Sequence, residues 1–205
     1  QVKRLMAESG RFLADVATKQ DAMDCLYQVG NDLYVDGCNL HVQDGTGASI
    51  SDRSETAAIN GLGNLIVGYN EEAGVYSEKT GSHNVIVGPY HSYTNQNGLV
   101  TGVANTITGR GAAVTGGEYN IASGHYSSVS GGLVNEAGGN FSTVSGGSYN
   151  EARQTGSSVS GGVENVASGH YSSVSGGESN EASGDYSSVS GGLENVAEDT
   201  YETLP

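Results

Sequence analysis

The 205-residue chain has few of the residues that fill an ordinary globular core. It contains no Trp, 2 Phe and 2 Pro, and only 36% of its residues are hydrophobic. So few large apolar side chains argue against a conventional core, and so little proline excludes collagen and proline-rich linkers. No apolar run approaches the roughly 18 residues that a membrane-spanning helix needs.

Positive charge is also scarce. Lys and Arg total 8 against 23 Asp and Glu, which gives a formal net charge of −15. Because nucleic acids and anionic membranes are themselves negative, we expect this chain to bind neither. The sequence has no visible signal peptide and begins with Gln1, as a mature product or a fragment would.

The two cysteines, Cys25 and Cys38, do not form a CxxC pair and have no cluster of His beside them. We therefore expect no zinc site. A disulfide, within or between chains, and a pair of free thiols are both compatible with this spacing.

The chain contains 33 glycines. Much of it consists of a repeated unit that reads N-x-A-S-G-x-Y-S-S-V-S-G-G-x-x. The Asn of the unit recurs every 15 residues, at Asn105, Asn120, Asn135, Asn150, Asn165, Asn180 and Asn195. Two 14-residue turns precede these units, centred on Ile86 and Val100. Units this short cannot form helical hairpins, and their glycines would spoil a helix.

Within the unit, Y-S-S-V-S alternates as a half-buried strand does, and Gly-Gly and Ser-Gly mark corners. We therefore predict an all-β repeat, a parallel β-roll or β-solenoid of 14–15-residue coils over residues 61–205. At a strand spacing of about 4.8 Å, the roughly nine coils after Asn84 would form a rod about 40 Å long.

Strand parity predicts which side chains point inward. One inward ladder consists of Val129, Val144, Val159, Val174 and Val189, and another of Ala122, Ala137, Ala152, Ala167 and Ala182. The opposite parity holds Tyr126, Phe141, Tyr171 and Tyr186, with Gly111 and Gly156 in the same slot. We expect the repeated Asn to cap corners, because Asn tolerates the left-handed region and its amide bonds along a stack.

One Val and one Ala per coil make a thin interior, which cannot offset the backbone entropy lost in ordering a coil. We therefore predict that further burial comes from other chains, and that the protein is an obligate oligomer.

Residues 1–28 are predicted to be helical, because apolar residues occupy heptad a and d positions. These are Val2, Leu5, Phe12, Val16, Met23 and Leu26. A short coiled coil in the oligomer and a single amphipathic helix packed on a domain are both compatible with this pattern.

Residues 29–60 are predicted to be a transition with two short strands, at 33–35 and 40–42, and a polar loop. The segment 64–68 resembles 84–88, twenty residues on. The excess over the repeat predicts an insertion at about 71–82 that projects from the stack. Insertions in repeat proteins often bind ligands, but an inert loop is equally compatible with this segment.

No phosphate loop, H-E-x-x-H or G-x-S-x-G motif occurs, so we predict no enzyme and no catalytic or cofactor-binding residues. His125 and His170 share a slot three coils apart, too far for one metal. Other coils fill that slot with varied residues, so we expect it to be exposed and unspecialised. Glu136, Glu151 and Glu181 share another slot and are predicted to form a solvated acidic face rather than a metal site.

The S-V-S-G-G and N-x-A-S-G units of residues 84–200 resemble the head repeats of trimeric autotransporter adhesins, the YadA-like head. The resemblance implies a left-handed parallel β-roll, three rolls packed as a trimer, and a cell-surface or extracellular fibre with a role in attachment. This chain departs from the family in carrying V-S-G-G where V-A-I-G is frequent, in its preceding coiled segment, and in showing no C-terminal membrane anchor.

We therefore expect a structural or adhesive module of an extracellular trimeric fibre. Its expected partners are two further copies, fibres joined end to end, and a surface or glycan ligand, without membrane insertion. A phage-like tail fibre would show the same features. The alternatives are an ice- or carbohydrate-binding solenoid, for which rows such as Ser128/Ser130 and Thr143/Ser145 would organise water, and a polysaccharide-degrading tailspike with paired carboxylates.

Overall fold

A computed structural model describes residues 25–45, 59–72 and 77–205 of the chain. The chain divides into two compact units, Gln1–His41 and Val42–Pro205. The described residues form β-strands and no helix, as the predicted all-β fold requires. Most of the predicted N-terminal helix, residues 1–24, lies outside the described residues.

The strands are short, and most contain only two residues. They are β1 (Leu26–Val29), β2 (Asp32–Val35), β3 (Leu65–Val67), β4 (Val85–Val87), β5 (Ser92–Tyr93), β6 (Leu99–Thr101), β7 (Thr106–Ile107), β8 (Ala113–Val114), β9 (Ile121–Ala122), β10 (Ser128–Val129), β11 (Glu136–Ala137), β12 (Thr143–Val144), β13 (Glu151–Ala152), β14 (Ser158–Val159), β15 (Val166–Ala167), β16 (Ser173–Val174), β17 (Glu181–Ala182), β18 (Ser188–Val189), β19 (Val196–Ala197) and β20 (Thr203–Leu204).

The first unit contains an antiparallel hairpin of β1 and β2, in which Leu26 pairs with Val35. Its two-residue turn begins at Gly30, whose φ of 63° is readily adopted by glycine. A disulfide between Cys25 and Cys38, with Cα atoms 5.9 Å apart, joins the two ends. The disulfide alternative is therefore the one that the structure contains.

Two details of the predicted transition are wrong. The predicted helix extended to residue 28, but Leu26 and Tyr27 lie in β1. The predicted strand at 40–42 does not form, and β1 takes the place of that strand as the partner of β2. The physical reason is the turn that starts at Gly30, which folds the alternating segments on its two sides onto each other.

The second unit is a parallel solenoid, as predicted. Ten strands stack into a long sheet, in the order β20-β18-β16-β14-β12-β10-β8-β6-β4-β3. Eight strands stack into a short sheet, in the order β19-β17-β15-β13-β11-β9-β7-β5. Equivalent residues of successive coils are paired, as Val129 with Val144. The predicted relation of segments 64–68 and 84–88 is confirmed, because Leu65 pairs with Val85.

A third side of each coil carries single bridges rather than strands. These bridges run in parallel through Val103, Glu118, Leu133, Ser148, Val163, Glu178 and Leu193. From the coil of Val103 to that of Leu193, each coil therefore presents three sides outward, and equivalent residues form rows along the stack.

The interior contains the predicted Val and Ala ladders, and each of these residues is at most 1% exposed. The first coils place larger side chains in the Ala row, Tyr93 and Ile107. Sequence reasoning missed a buried serine row, Ser127, Ser142, Ser157, Ser172 and Ser187. Ser127 lies two residues before Val129 and so shares its parity, which is the signal that identifies this row.

The repeated Asn side chains also point into the coil. Asn150 is fully buried, and its Nδ2 donates to Asn135 Oδ1 at 3.1 Å, Gly146 O at 3.0 Å and Gly162 O at 2.9 Å. Its Oδ1 in turn accepts the backbone N–H of Asn165 at 3.0 Å. The predicted bonding of amides along the stack is thus confirmed.

The left-handed backbone conformation that was predicted for the repeated Asn is found at a different residue of the corner. The residue immediately before each Asn adopts it, for example Tyr149 with a φ of 58° and Glu164 with 55°. The corner therefore turns one residue earlier, and the Asn side chain points inward with the same parity as the Ala two residues later.

The insertion is shorter than the predicted 71–82. Residues after Ser77 stack on the next coil, because Tyr93 N donates to Glu78 O at 2.7 Å and Gly81 N donates to Tyr93 O at 2.9 Å. Lys79 Nζ donates to Glu71 O at 2.7 Å and so joins the two ends of the excess segment. The extra residues of this coil therefore lie before Ser77.

His91 occupies the position of the buried Asn row in the coil before Asn105. Because histidine titrates and asparagine does not, we predict that the stability of the chain depends on pH. Its Nδ1 accepts the Asn105 N–H at 3.1 Å, and it is 1% exposed. Burial lowers the pKa of His91 below its usual 6.5, with a smaller contribution from Lys79. The unfolded chain therefore takes up a proton on this histidine more readily than the folded chain does. The contribution of neutral His91 to the free energy of unfolding is fully present above pH 6.5 and is lost as the pH falls below this value.

Urea unfolding between about pH 8 and pH 5 measures this loss. His91→Asn is the matched variant, since Asn occupies this row in later coils and cannot titrate. We expect the loss between these pH values to be smaller in His91→Asn than in the parent chain. An identical loss in both proteins would contradict the assignment to His91.

Candidate functional site: three outward surfaces

The outward side chains of the long sheet contain no charged residue in any of its ten strands. We call this surface the uncharged face; it is formed by Leu65, Val67, Val85, Val87, Leu99, Thr101, Ala113, Thr115, Ser128, Ser130, Thr143, Ser145, Ser158, Ser160, Ser173, Ser175, Ser188, Ser190, Thr203 and Pro205. The chain has a net charge of −15, so a surface of ten strands without one outward charge differs clearly from the rest of the molecule.

The uncharged face changes character along the stack. Its first strands expose aliphatic side chains, with Leu65 42% and Val67 54% exposed. Its later strands present hydroxyls, and some of these bond along the row, as Ser128 Oγ donates to Thr143 Oγ1 at 3.4 Å. The face therefore combines an apolar end with an uncharged polar end, both built from small or medium side chains.

The other two sides carry the negative charge. Glu136, Glu151 and Glu181 project from the short sheet, and further carboxylates follow the bridge row and its corner, at Glu118, Glu164, Glu178 and Glu194. Arg153 Nε donates to Glu151 Oε2 at 2.6 Å, and this hydrogen bond raises the pKa of Arg153 above its usual range.

These carboxylates form the predicted solvated acidic face, being partly or fully exposed. Among the described residues, no group of three His, Cys, Asp or Glu is placed to hold a metal ion.

The slot of His125 and His170 is more specialised than predicted. Its side chains accept backbone N–H groups from the preceding coil, as His125 Nδ1 accepts from Arg110 at 3.1 Å. Asn140 Oδ1 accepts from His125 N at 2.9 Å, and Asp185 Oδ1 accepts from His170 N at 2.9 Å. A residue with an acceptor thus ties two coils together at this corner, although the slot is otherwise variable.

A shallow groove lies on the acidic side, at the corner between the bridge row and the short sheet. It has a volume of about 110 Å³ and is lined by Tyr119, Ile121, Val134, Asn135, Glu136, Tyr149 and Glu151. Small-molecule sites usually measure about 300–1,000 Å³, so this groove is too small to be a typical enclosed site.

A second corner carries exposed aromatic rings, which we call the aromatic ladder: Tyr126, Phe141, Tyr171, Tyr186 and Tyr201. The rings stack along the coils, with centroids 5.5 Å apart for Tyr126 and Phe141, 5.3 Å for Tyr171 and Tyr186, and 5.1 Å for Tyr186 and Tyr201. The guanidinium of Arg110 covers Tyr126 at 5.3 Å. Stacked rings cover each other's faces and present their edges to solvent.

The aromatic residues are in the left-handed conformation, with φ between 55° for Tyr171 and 65° for Tyr201. Gly111 and Gly156 occupy the same slot with φ of 65° and 68°. The backbone of this corner therefore stays the same whether or not a ring is present, and Gly156 leaves one step of the aromatic ladder empty.

Comparison of the chain with models of known protein families finds no matching family, and comparison with curated proteins finds no matching sequence. The part of the chain that the structure describes contains no helix of the length and apolar character needed to cross a membrane. The fold and its three surfaces are therefore the basis for a functional proposal.

Proposed function

We propose that this chain is a structural or adhesive module of an extracellular, cell-surface fibre, and that three copies assemble through the uncharged face. The resemblance of its repeats to the heads of trimeric autotransporter adhesins supports this assembly. The observation that carries the proposal is the absence of charge along all ten strands of the long sheet.

The distribution of charge favours this face over the other two sides. Burying a carboxylate costs several kcal/mol unless a partner compensates it, and both other sides carry repeated Glu. The uncharged face can be buried without that cost. Its Ser, Thr and Ala side chains are short, so that sheets of neighbouring copies can approach closely, and its aliphatic end supplies apolar area.

The disulfide-closed hairpin gives independent support for partner chains. Both of its strands expose apolar side chains, with Val29 58% and Leu33 67% exposed. Isolated two-stranded hairpins are marginally stable in water, and exposed apolar clusters frequently mark association surfaces. A coiled coil of the residues before Cys25, where five of the six heptad positions lie, would bring the same three chains together.

The mass in solution tests the assembly. Light scattering after gel filtration is expected to give about 63 kDa, three times the chain mass of 20.9 kDa. Reductant is expected to leave this mass unchanged, because Cys25 and Cys38 bond within one chain. A folded monomer would contradict the proposal, and much larger species would indicate fibres joined end to end.

A pair of matched substitutions tests which face is buried. Ser160→Lys places an ammonium group on the uncharged face, and Ser123→Lys places the same charge on the outward side of the short sheet. We expect Ser160→Lys to weaken the trimer by about 3–5 kcal/mol for each ammonium group that it buries without a partner. Ser123→Lys should leave the mass unchanged. Equal effects of the two variants would contradict this choice of face.

The hydroxyl rows also support a second candidate, a solenoid that organises water on the same face. Serine and threonine repeat there at strand spacing in two straight rows. A trimer buries these rows and a water-ordering surface exposes them, so the two functions exclude each other. A thermal-hysteresis measurement on the purified chain decides between them, and activity in a monomer would favour the second candidate.

A further inference from the structure

The aromatic ladder is open at Gly156, and the exposures of its rings show on which side. Tyr126 and Tyr186, each between two neighbours, are 48% and 49% exposed. Phe141, stacked on Tyr126, faces Gly156 on its other side and is 62% exposed. One face of Phe141 is therefore available to a flat ligand at this corner.

At the level of the backbone, the gap is one coil wide. Phe141 and Tyr171 are two coils apart, which corresponds to roughly 10 Å at strand spacing. Tyr171 leans toward the empty step, since its Cδ1 lies 2.5 Å from where a Cβ on Gly156 would be. The space that remains lies on the Phe141 side, and Tyr171 forms its opposite wall.

We propose that this gap binds a neutral pyranose sugar, with the C–H face of the sugar on the ring of Phe141. Aromatic faces beside a few placed polar groups are the usual composition of a ligand site. The residues that precede this slot in the same coils are Asn140, Thr155 and His170, which carry an amide, a hydroxyl and an imidazole that hydroxyls on a sugar edge could bond. A sugar has both an apolar face and a polar rim, and so matches this corner better than the ring of an apolar side chain does.

Charge narrows the ligand class further. The chain carries a net charge of −15, and carboxylates follow two of its three sides. Sialylated, uronic and sulfated glycans are therefore repelled at long range, whereas neutral hexoses are not. This site names a ligand for the adhesive role proposed above, on which it rests for its biological meaning, but its geometry does not require a trimer.

The chain itself provides the variant that closes the gap. Gly156→Tyr introduces the residue that four other coils carry in this slot, at a φ of 68° against 55–65° for those residues. The ring of Tyr171 must first swing away from the new Cβ, which a side chain can do more easily than backbone, and the new ring then occupies the proposed site. Phe141→Ala removes the stacking face, Phe141→Tyr retains it, and Tyr201→Ala removes a ring at the end of the aromatic ladder, away from the gap.

The test titrates the full chain with neutral tetrasaccharides of glucose, galactose, mannose and N-acetylglucosamine, and with a sialylated tetrasaccharide as the anionic probe. Calorimetry measures binding, and tyrosine emission is a second readout because the chain has no Trp. We expect one neutral class to bind, about tenfold weaker binding in Gly156→Tyr and Phe141→Ala, and unchanged binding in Phe141→Tyr and Tyr201→Ala.

Three results would overturn the site: no binding by any neutral probe, equal affinity in Gly156→Tyr and the parent chain, or preference for the sialylated probe. Light scattering on the same samples separates the two proposals. A monomer that binds sugar in this pattern overturns the trimer and retains the site, whereas a trimer that binds none of the neutral probes does the reverse. Circular dichroism of each variant shows that a loss of binding is not a loss of fold.

Discussion

Replacing Asn150 by Asp is expected to destabilise the solenoid by about 3–5 kcal/mol at neutral pH, as an uncompensated buried charge does. Asn150 is fully buried, and its Nδ2 donates to three oxygen atoms. In the variant a carboxylate oxygen replaces Nδ2 and faces the same three oxygen atoms. Three hydrogen bonds therefore become repulsive contacts between acceptors. The side chain has nearly the same shape, so that the loss reports charge and hydrogen bonding rather than a cavity.

The loss should depend on pH in a defined direction. Burial and the facing oxygens raise the pKa of the new carboxyl above the usual 3.9 or so of Asp. The folded variant therefore holds its proton to a higher pH than the unfolded chain, and its stability falls as the pH rises from that usual value through the folded pKa. Relative to the parent chain, the deficit is expected to shrink at about pH 4–5 and to be complete near neutrality.

Asn140→Asp is the matched control for this experiment. It adds the same charge at an exposed position, and Asn140 uses its Oδ1 to accept from His125 N, which a carboxylate does equally well. Urea unfolding of the two variants and the parent chain, near neutral pH and at about pH 5, measures the difference. If both variants lose the same stability, the buried Asn row does not stabilise the stack as its geometry indicates.

The corner before the inward Asn row marks the limit of what the sequence predicts. Alternation within a strand identified the Val and Ala ladders, because successive side chains in extended backbone point to opposite sides. That rule ends at a corner, where left-handed residues such as Tyr149 and Glu164 reverse the direction of the next side chain. The left-handed turn before each Asn was therefore not predictable by parity. The inward orientation of Asn was, since Asn150 lies two residues before the inward Ala152, as Ser127 lies two before Val129.

The surfaces were predictable to different degrees. The outward positions of the later coils, such as Ser128 and Ser130, follow from the inward Val129 between them. That the uncharged face extends over all ten strands required the pairing of Leu65 with Val85 and of Val85 with Leu99, since the early coils have other lengths. The stacking of the aromatic rings, and the gap between Phe141 and Tyr171, required the positions of the side chains.

The close stacking of the coils makes a second large effect predictable, at the Gly-Gly corner. A Cβ on Gly162 would lie 2.5 Å from Asn165 Nδ2 and closer still to the carbonyl oxygen of Gly177 in the next coil. The φ of Gly162 is 89°, a conformation that disfavours any side chain. We expect Gly162→Ala to lose about 2–5 kcal/mol, from overpacking of about 1–3 kcal/mol and left-handed strain of about 1–2 kcal/mol.

Two neighbouring glycines separate these two causes in urea unfolding experiments. Gly161 has a φ of 155°, and no atom lies within 4 Å of the position that a Cβ would take, so Gly161→Ala carries backbone strain without a clash. Gly138 has no positive φ, and the nearest atom to its Cβ position is 3.4 Å away, so Gly138→Ala should be close to neutral. The expected order of loss is Gly162→Ala, then Gly161→Ala, then Gly138→Ala.

Equal losses at Gly162 and Gly161 would mean that the coils can separate to admit a methyl group, and that strain alone restricts this corner. A larger loss at Gly162 would mean that the distance between coils is fixed. The same approach recurs at Gly132, Gly147 and Gly177, where a Cβ would lie 2.6 Å from the Nδ2 of Asn135, Asn150 and Asn180 in turn. Asn Nδ2 bonds the carbonyl oxygen of the next coil's glycine, as Asn150 bonds Gly162 O, so glycine at this position and the buried Asn row require each other.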